Sequence, residues 1–167
     1  MSEQPPTVHG GFLPKKFFVA GGQATSPTST LNAFDAALSQ AKIAQCNIVS
    51  VSSILPPDAV QVKNEEITPG TVTFCVLARM EGDPCETIGA GIGWGWGSSN
   101  GKKFGIVAEA HGYKDKEAVE KELQWKLNEM AKIRQLKLEK TDTKTEYMEV
   151  PKGKYGSVVV ALVYVPW

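Results

Sequence analysis

The sequence predicts an α+β fold, one domain of sandwiched sheets. Three observations carry this. Several runs are apolar and β-branched, or alternate with period two, as strands do. Two other segments, 31–41 and 115–138, repeat their apolar residues at helical spacing instead. The two kinds do not follow each other in strict βα order, which argues against a doubly wound parallel sheet. At 167 residues, 42% of them hydrophobic, the chain is long enough for one real core and suits a single domain.

The elements follow in order. Residues 1–15, rich in proline and glycine, read as a loose arm that includes His9. "KFFVAGG" (16–22) reads as a short strand ending at a glycine turn, and "QATSPTST" (23–30) as a polar turn. Ser29 or Thr30 then caps "LNAFDAALSQA" (31–41), a helix with Leu31, Phe34, Leu38 and Ala41 on one face and Asp35 beside it. "QCNIVSVSSIL" (45–55) reads as a strand that ends in two serines and a rigid Pro56-Pro57 exit.

"GTVTFCVLARM" (70–80) is apolar enough for a buried strand. "ETIGAGIGWGWG" (86–97) sets glycines at 89, 91, 93, 95 and 97 against Ile88, Ala90, Ile92, Trp94 and Trp96. In a strand this leaves one face bare, open to close approach by another backbone or sheet. Asn100-Gly101 signals a hairpin into "FGIVAEAHGY" (104–113), an apolar strand that carries Glu109. Asp115 is placed to cap the second helix, whose stripe is Val119, Leu123, Leu127, Met130 and Ile133. "YGSVVVALVYVPW" closes the chain as a buried strand.

Composition excludes several function classes. Acidic and basic residues balance at 18 each, so no basic stripe points to nucleic acid. No run is long enough to span a membrane, and the first residues lack a basic start followed by an apolar stretch. Cys46, Cys75 and Cys85 are odd in number and lack CxxC spacing, which argues against disulfides or zinc. A soluble cytoplasmic protein is the expectation. The glycines match neither a Walker loop nor G-x-G-x-x-G, and Trp94 and Trp96 read as core or interface packing. No metal ligands cluster. His111 reads as a histidine near a strand end, sharing a face with Glu109. Glu109 stands out, because a carboxyl buried in an apolar strand would serve as a proton donor near neutral pH.

Serine pairs usually mark a strand end, and Ser98-Ser99 is one such pair. The surroundings of Ser52-Ser53 change that reading. "LNAFDAAL", then "NIVSVSSILPPDA", then the isolated glutamate of "AEA" resemble the pyruvoyl-dependent arginine decarboxylases over nearly the whole chain. The "SVSSILPP" stretch is the specific part. The resemblance implies a four-layer αββα sandwich, a homotrimer with sites at its interfaces, and self-cleavage between Ser52 and Ser53 into residues 1–52 and 53–167. It implies a covalent pyruvoyl cofactor made from Ser53. Such a ketone forms a Schiff base with an amino acid's α-amine. It further implies Glu109 as proton donor, Asp35 as partner of the arginine guanidinium, Asn47 as an orienting amide and Leu31 as pocket lining. The implied reaction turns L-arginine into agmatine and CO2. Two alternatives stand beside it: a pyruvoyl decarboxylase for another cationic amino acid, and a non-catalytic paralogue that serves as a binding or oligomerisation partner.

Overall fold

The computed structural model describes residues 10–165, and His9 and the last two residues lie outside them. It is a single mixed α+β domain of two helices and two sheets. In order the elements are β1 (Lys16–Ser26), α1 (Thr30–Gln40), β2 (Asn47–Ser50), β3 (Ile54–Leu55), β4 (Val60–Gln61), β5 (Val72–Gly82), β6 (Thr87–Ser99), β7 (Lys102–Gly112), α2 (Lys116–Ile133), β8 (Lys137–Glu149) and β9 (Tyr155–Val165). One sheet runs β2-β5-β9-β1-β4 and the other β3-β7-β6-β8.

Strand alternation divides the apolar side chains among three clusters. Along β9, Val158, Val160, Leu162 and Tyr164 join Val76 and Ala78 of β5 and Ile88, Ala90, Ile92 and Trp94 of β6. The other phase, Val159, Ala161 and Val163, joins Ala37 and Leu38 of α1 and its C-cap Ala41. Ile106, Ala108 and Ala110 of β7 pack with Val119, Leu123 and Leu127 of α2. Each fully buried aliphatic side chain contributes roughly 1.5–3 kcal/mol.

The glycine strand keeps its alternation, with a shift of register against β8 between Trp96 and Gly97, and a helix takes its bare face at Gly89, Gly91 and Gly93. A Cβ at Gly91 would come within 2.8 Å of Val119 and 3.0 Å of Leu123, and one at Gly93 within 3.1 Å of Leu127. The branched residues of α2 fill the space the glycines leave, while Ile88, Ile92 and Trp94 turn to the other sheet.

Several sequence expectations change. Gly21 and Gly22 do not end the first strand, which pairs with β9 all the way to Ser26. Gly22 is needed because α1 lies directly on it: a Cβ there would run into the Ala37 carbonyl oxygen. Small residues therefore face inward on α1, namely Ala33, Ala37 and Ala41 with Leu38, and Leu31 is left 72% exposed. Ser29 is the N-cap, accepting from the Asn32 N–H. Asp115 caps α2, which stops at Ile133 rather than at 138 and leaves Ile133 exposed. The following residues form β8, an edge strand so polar that its sequence gives little alternation to read. Asn100 and Gly101 both have positive φ, as the tight β6–β7 hairpin requires. Residues 10–15 are held rather than loose: Phe12 packs on Phe74 and the Lys15 carbonyl accepts the Val60 N–H.

Among the described residues no helix is long and apolar enough to cross a membrane, and no cluster of His, Cys, Asp and Glu could hold a metal. The three cysteines are free thiols.

Gly22→Ala should destabilise the fold by about 1–3 kcal/mol, because backbone of α1 must move to admit one methyl. Urea unfolding would read this as a lower midpoint; an unchanged midpoint would mean that α1 can lift away freely.

Candidate active site

The segment 45–55 is not one strand. It pairs with β5 over Asn47–Ser50, and the Val51 N–H still donates to the Cys75 carbonyl at 2.9 Å. It then leaves for the other sheet, where Ile54 and Leu55 pair with Ile106 and Gly105 of β7. β2 and β3 are each the edge of a sheet, so residues 51–53 bridge two edges. Past Pro56-Pro57 the chain returns to the first sheet, at its opposite edge, as β4. The ladder is interrupted between its two partners, and the break falls on the serine pair.

Three successive carbonyls at the bridge are held. The Ser52 carbonyl accepts the Ile54 N–H at 3.3 Å, and the Ser53 carbonyl accepts the Val107 N–H at 2.9 Å. The Ile54 carbonyl accepts the Tyr164 hydroxyl at 2.7 Å. Tyr164 comes from the middle strand of the other sheet and is only 4% exposed. Val51, Ser52, Ile54, Phe74 and Tyr164, with Phe12 and Pro14, line an open cleft of about 340 Å³. Ser52 is exposed and Ser53 half-buried.

The β3–β7 pairing also brings Glu109 into this neighbourhood. It lies two residues beyond Val107, a rise of about 7 Å along the strand. It shares the face of Val107, which is buried between the sheets, yet Glu109 itself is exposed. The burial expected for it is absent in the single chain, because only Ile54 and Leu55 cover the edge of β7 and the pairing ends there. Its backbone carbonyl is tied to α2 by Lys126 Nζ at 2.8 Å. Lys126 pairs in turn with Glu122 at 2.7 Å, and Glu122 also bonds Lys114. Burial pushes the Glu122 carboxyl up, but hydrogen bonds from the two lysines outweigh it and hold the carboxyl below its ordinary value.

The remaining residues singled out by sequence stand apart from the cleft. Asn47 opens β2, and its Nδ2 donates to the Gly70 carbonyl at 2.9 Å. Leu31 and Asp35 are exposed on α1, which packs on the outer side of the five-stranded sheet, away from the cluster that contains Tyr164. Within one chain, then, Ser52, Ser53 and Glu109 are gathered at one edge, and Leu31, Asp35 and Asn47 are presented on the surface. Sequence reasoning missed Tyr164 and Val107. Val107 acts through its backbone, which no sequence pattern marks. Tyr164 is a polar tip in an otherwise aliphatic run, a faint signal that its hydroxyl needs a partner.

Burial, and after it the neighbouring Cys75, pushes the Tyr164 hydroxyl from 10.0 up to about 12. Burial, and after it Cys46, pushes Cys75 from 9.0 up to about 12. Both groups are favoured protonated in the folded chain. Their contribution to stability is complete below pH 9 and is lost as the pH rises through about 12. Urea midpoints should therefore fall between about pH 9 and pH 11, and Tyr164→Phe should flatten part of that fall. A wild-type midpoint that stays level across this range would contradict the burial of both groups.

Comparison with known proteins identifies the family. The family model described as pyruvoyl-dependent arginine decarboxylase matches residues 16–167. A pyruvoyl-dependent arginine decarboxylase of Methanopyrus kandleri is 33% identical over 156 residues, which cover 91% of this chain and 97% of the relative. Pyruvoyl-dependent arginine decarboxylase 1 of Methanosarcina mazei is 38% identical over 108 residues, 62% of this chain and 64% of the relative, just under two thirds of its length. A pyruvoyl-dependent arginine decarboxylase of Thermoplasma volcanium is 38% identical over 114 residues, 65% of this chain and 62% of its own. With the match running from the first strand to the last residue, the chain belongs to the pyruvoyl-dependent arginine decarboxylase family.

Proposed function

We propose that the chain cuts itself between Ser52 and Ser53 and then, as residues 1–52 and 53–167 held together, decarboxylates L-arginine to agmatine and CO2. The observation that carries this reading is the position of the serine pair at the bridge between two sheet edges, with the carbonyls of 52 and 53 both held by backbone N–H groups. A carbonyl polarised by a fixed donor is readied for attack.

The chemistry balances atom by atom. The Ser53 Oγ bonds to the Ser52 carbonyl carbon, the peptide C–N bond breaks, and the hydroxyl proton passes to the freed nitrogen. The resulting ester loses the Ser53 α-proton and its Cβ–O bond, which frees Ser52 as a carboxylate. Residue 53 is left unsaturated; water then takes its nitrogen away as ammonia and leaves the pyruvoyl group. That group supplies a ketone beside an amide, an electron sink as carbon dioxide departs. The chain fits it: the residue-53 carbonyl that would flank it already accepts the Val107 N–H.

Glu109 is assigned the proton returned to the substrate carbon, since β7 carries it two residues past Val107. Asp35 is assigned the guanidinium, where a carboxylate accepts a bidentate pair. Leu31 lines the pocket and Asn47 orients the reacting carbonyl or the substrate. Because Leu31, Asp35 and Asn47 are all exposed, a neighbouring copy completes the site, in keeping with a homotrimer. Val49 and Val72, exposed apolar residues at the β2–β5 edge, suit such an interface. The layer order α1, sheet, sheet, α2 is read as the four-layer αββα sandwich, supported by the three separate apolar clusters.

Intact mass under denaturing conditions tests the cut. Pieces of 52 and 115 residues (167 less 52) are expected, roughly 6 and 12 kDa, the larger about 17 Da lighter than simple hydrolysis would leave it. Without denaturant the two should stay together, because β1 lies between β9 and β4 and β2 pairs with β5. Ser53→Ala should abolish both the cut and agmatine formation; a fully active Ser53→Ala chain would rule the mechanism out. Glu109→Gln should lower kcat by about 10²–10⁴-fold, the usual worth of a proton donor, with a smaller change in KM. Unaltered turnover would remove Glu109 from that role.

A further inference from the structure

The bridge at residues 51–53 is held from one direction by a side chain that no part of the reading above uses. Tyr164 sits on β9, between β5 and β1, with its ring in the apolar cluster between the sheets. Its hydroxyl crosses to the other sheet and donates to the Ile54 carbonyl at 2.7 Å, a contact between residues 110 apart in sequence. Ile54 is the residue directly after Ser53, and its own N–H donates to the Ser52 carbonyl. Both polar groups of Ile54 are therefore spoken for, one by Tyr164 and one by the carbonyl that is to be attacked.

β3 has only two residues, too few to fix its own tilt against β7. The Val107 N–H holds the Ser53 carbonyl on one side, and the Tyr164 hydroxyl holds the Ile54 carbonyl 2.7 Å away on the other. Two anchors on successive peptide planes, 53–54 and 54–55, fix the backbone rotation at Ile54 and so the aim of its N–H, which holds the Ser52 carbonyl. Where that N–H holds the Ser52 carbonyl decides whether the Ser53 hydroxyl meets its carbon. Intramolecular attack needs the atoms about 3–3.5 Å apart, and a misplacement of about 1 Å costs on the order of a hundredfold in rate.

We propose that Tyr164 is a positioning residue for self-cleavage, its hydroxyl fixing the Ile54 peptide so that the Ser53 hydroxyl faces the Ser52 carbonyl. This rests on the reading that the chain is cut between Ser52 and Ser53. Tyr164 exchanges no proton in the step; it acts through the backbone of Ile54.

The test follows newly made full-length chain, synthesised in vitro, as the 18.0 kDa species gives way to its pieces. Wild type, Tyr164→Phe and Val158→Ala are compared. Val158 is fully buried in the same cluster, so its truncation reports the effect of a weakened core alone. Tyr164→Phe should slow cleavage by about ten- to a hundredfold, while Val158→Ala cleaves near the wild-type rate. A second readout uses uncut Ser53→Ala chains. There Tyr164→Phe should speed hydrogen exchange at the Ile54 and Val107 amides by about tenfold and leave Val160 unchanged. Cleavage of Tyr164→Phe within about twofold of wild type would overturn the proposal, as would equal slowing by Val158→Ala. An equal rise in exchange at Val160 would do the same, since it marks a general loss of stability. If the wild-type chain itself stays whole, the cleavage reading fails first and the role of Tyr164 falls with it.

Discussion

The structure turns on the passage of the backbone from one sheet edge to another at residues 51–53. Up to Val51 the chain is bound to β5, and from Ser53 it is bound to β7, so the intervening peptide answers to two partners. A peptide in a regular ladder has its geometry set by its neighbours on both sides. One that bridges two ladders has its geometry set by their separation. The face-to-face packing of the sheets therefore governs the bridge, and everything that fixes that packing acts on the Ser52–Ser53 bond. The Tyr164 hydrogen bond to Ile54 is the direct link, since it runs from one sheet to the other.

Glycine controls the rest of the spacing. Gly22 lets α1 lie against β1, and Gly89, Gly91 and Gly93 let α2 lie against β6. In both places a helix comes closer to a strand than side chains would permit. The consequence for α1 is that alanines face inward and larger residues are turned out. Leu31 and Asp35 are on the surface for this packing reason as much as for any chemical one. For α2 the close approach sets Lys126 against β7, where it holds the Glu109 carbonyl. The backbone on either side of the bridge is thus steadied by helix, strand and tyrosine together.

The candidate site was partly legible in the sequence. Ser52 and Ser53 lay in a stretch whose residue order is specific, and Glu109 was conspicuous as a charge in an apolar strand. The burial expected of Glu109 was not legible, because exposure depends on where the neighbouring strand stops, and β3 stops after two residues. Asn47 could be named but not located, since its amide reaches Gly70, 23 residues away. β8 was missed because an edge strand with charged residues on it carries no apolar alternation. Val107 was missed because it contributes a backbone N–H, and every residue but proline has one.

The sequence by itself determined the two helices and the apolar strands, though not β4 or the polar edge strand β8, and it determined where the helices are capped and where the tight hairpin turns. These depend on neighbours within a few positions, through periodicity, capping oxygens and positive-φ residues. It also determined family membership, which the match over residues 16–167 shows. The tertiary structure alone decided that the apparent strand at 45–55 splits between two sheets. It alone decided that the bare glycine face receives a helix, and that a tyrosine 110 residues away reaches the peptide beside the serines. Those outcomes depend on which surfaces meet, and that is fixed by packing across the whole chain, not by any local run of residues.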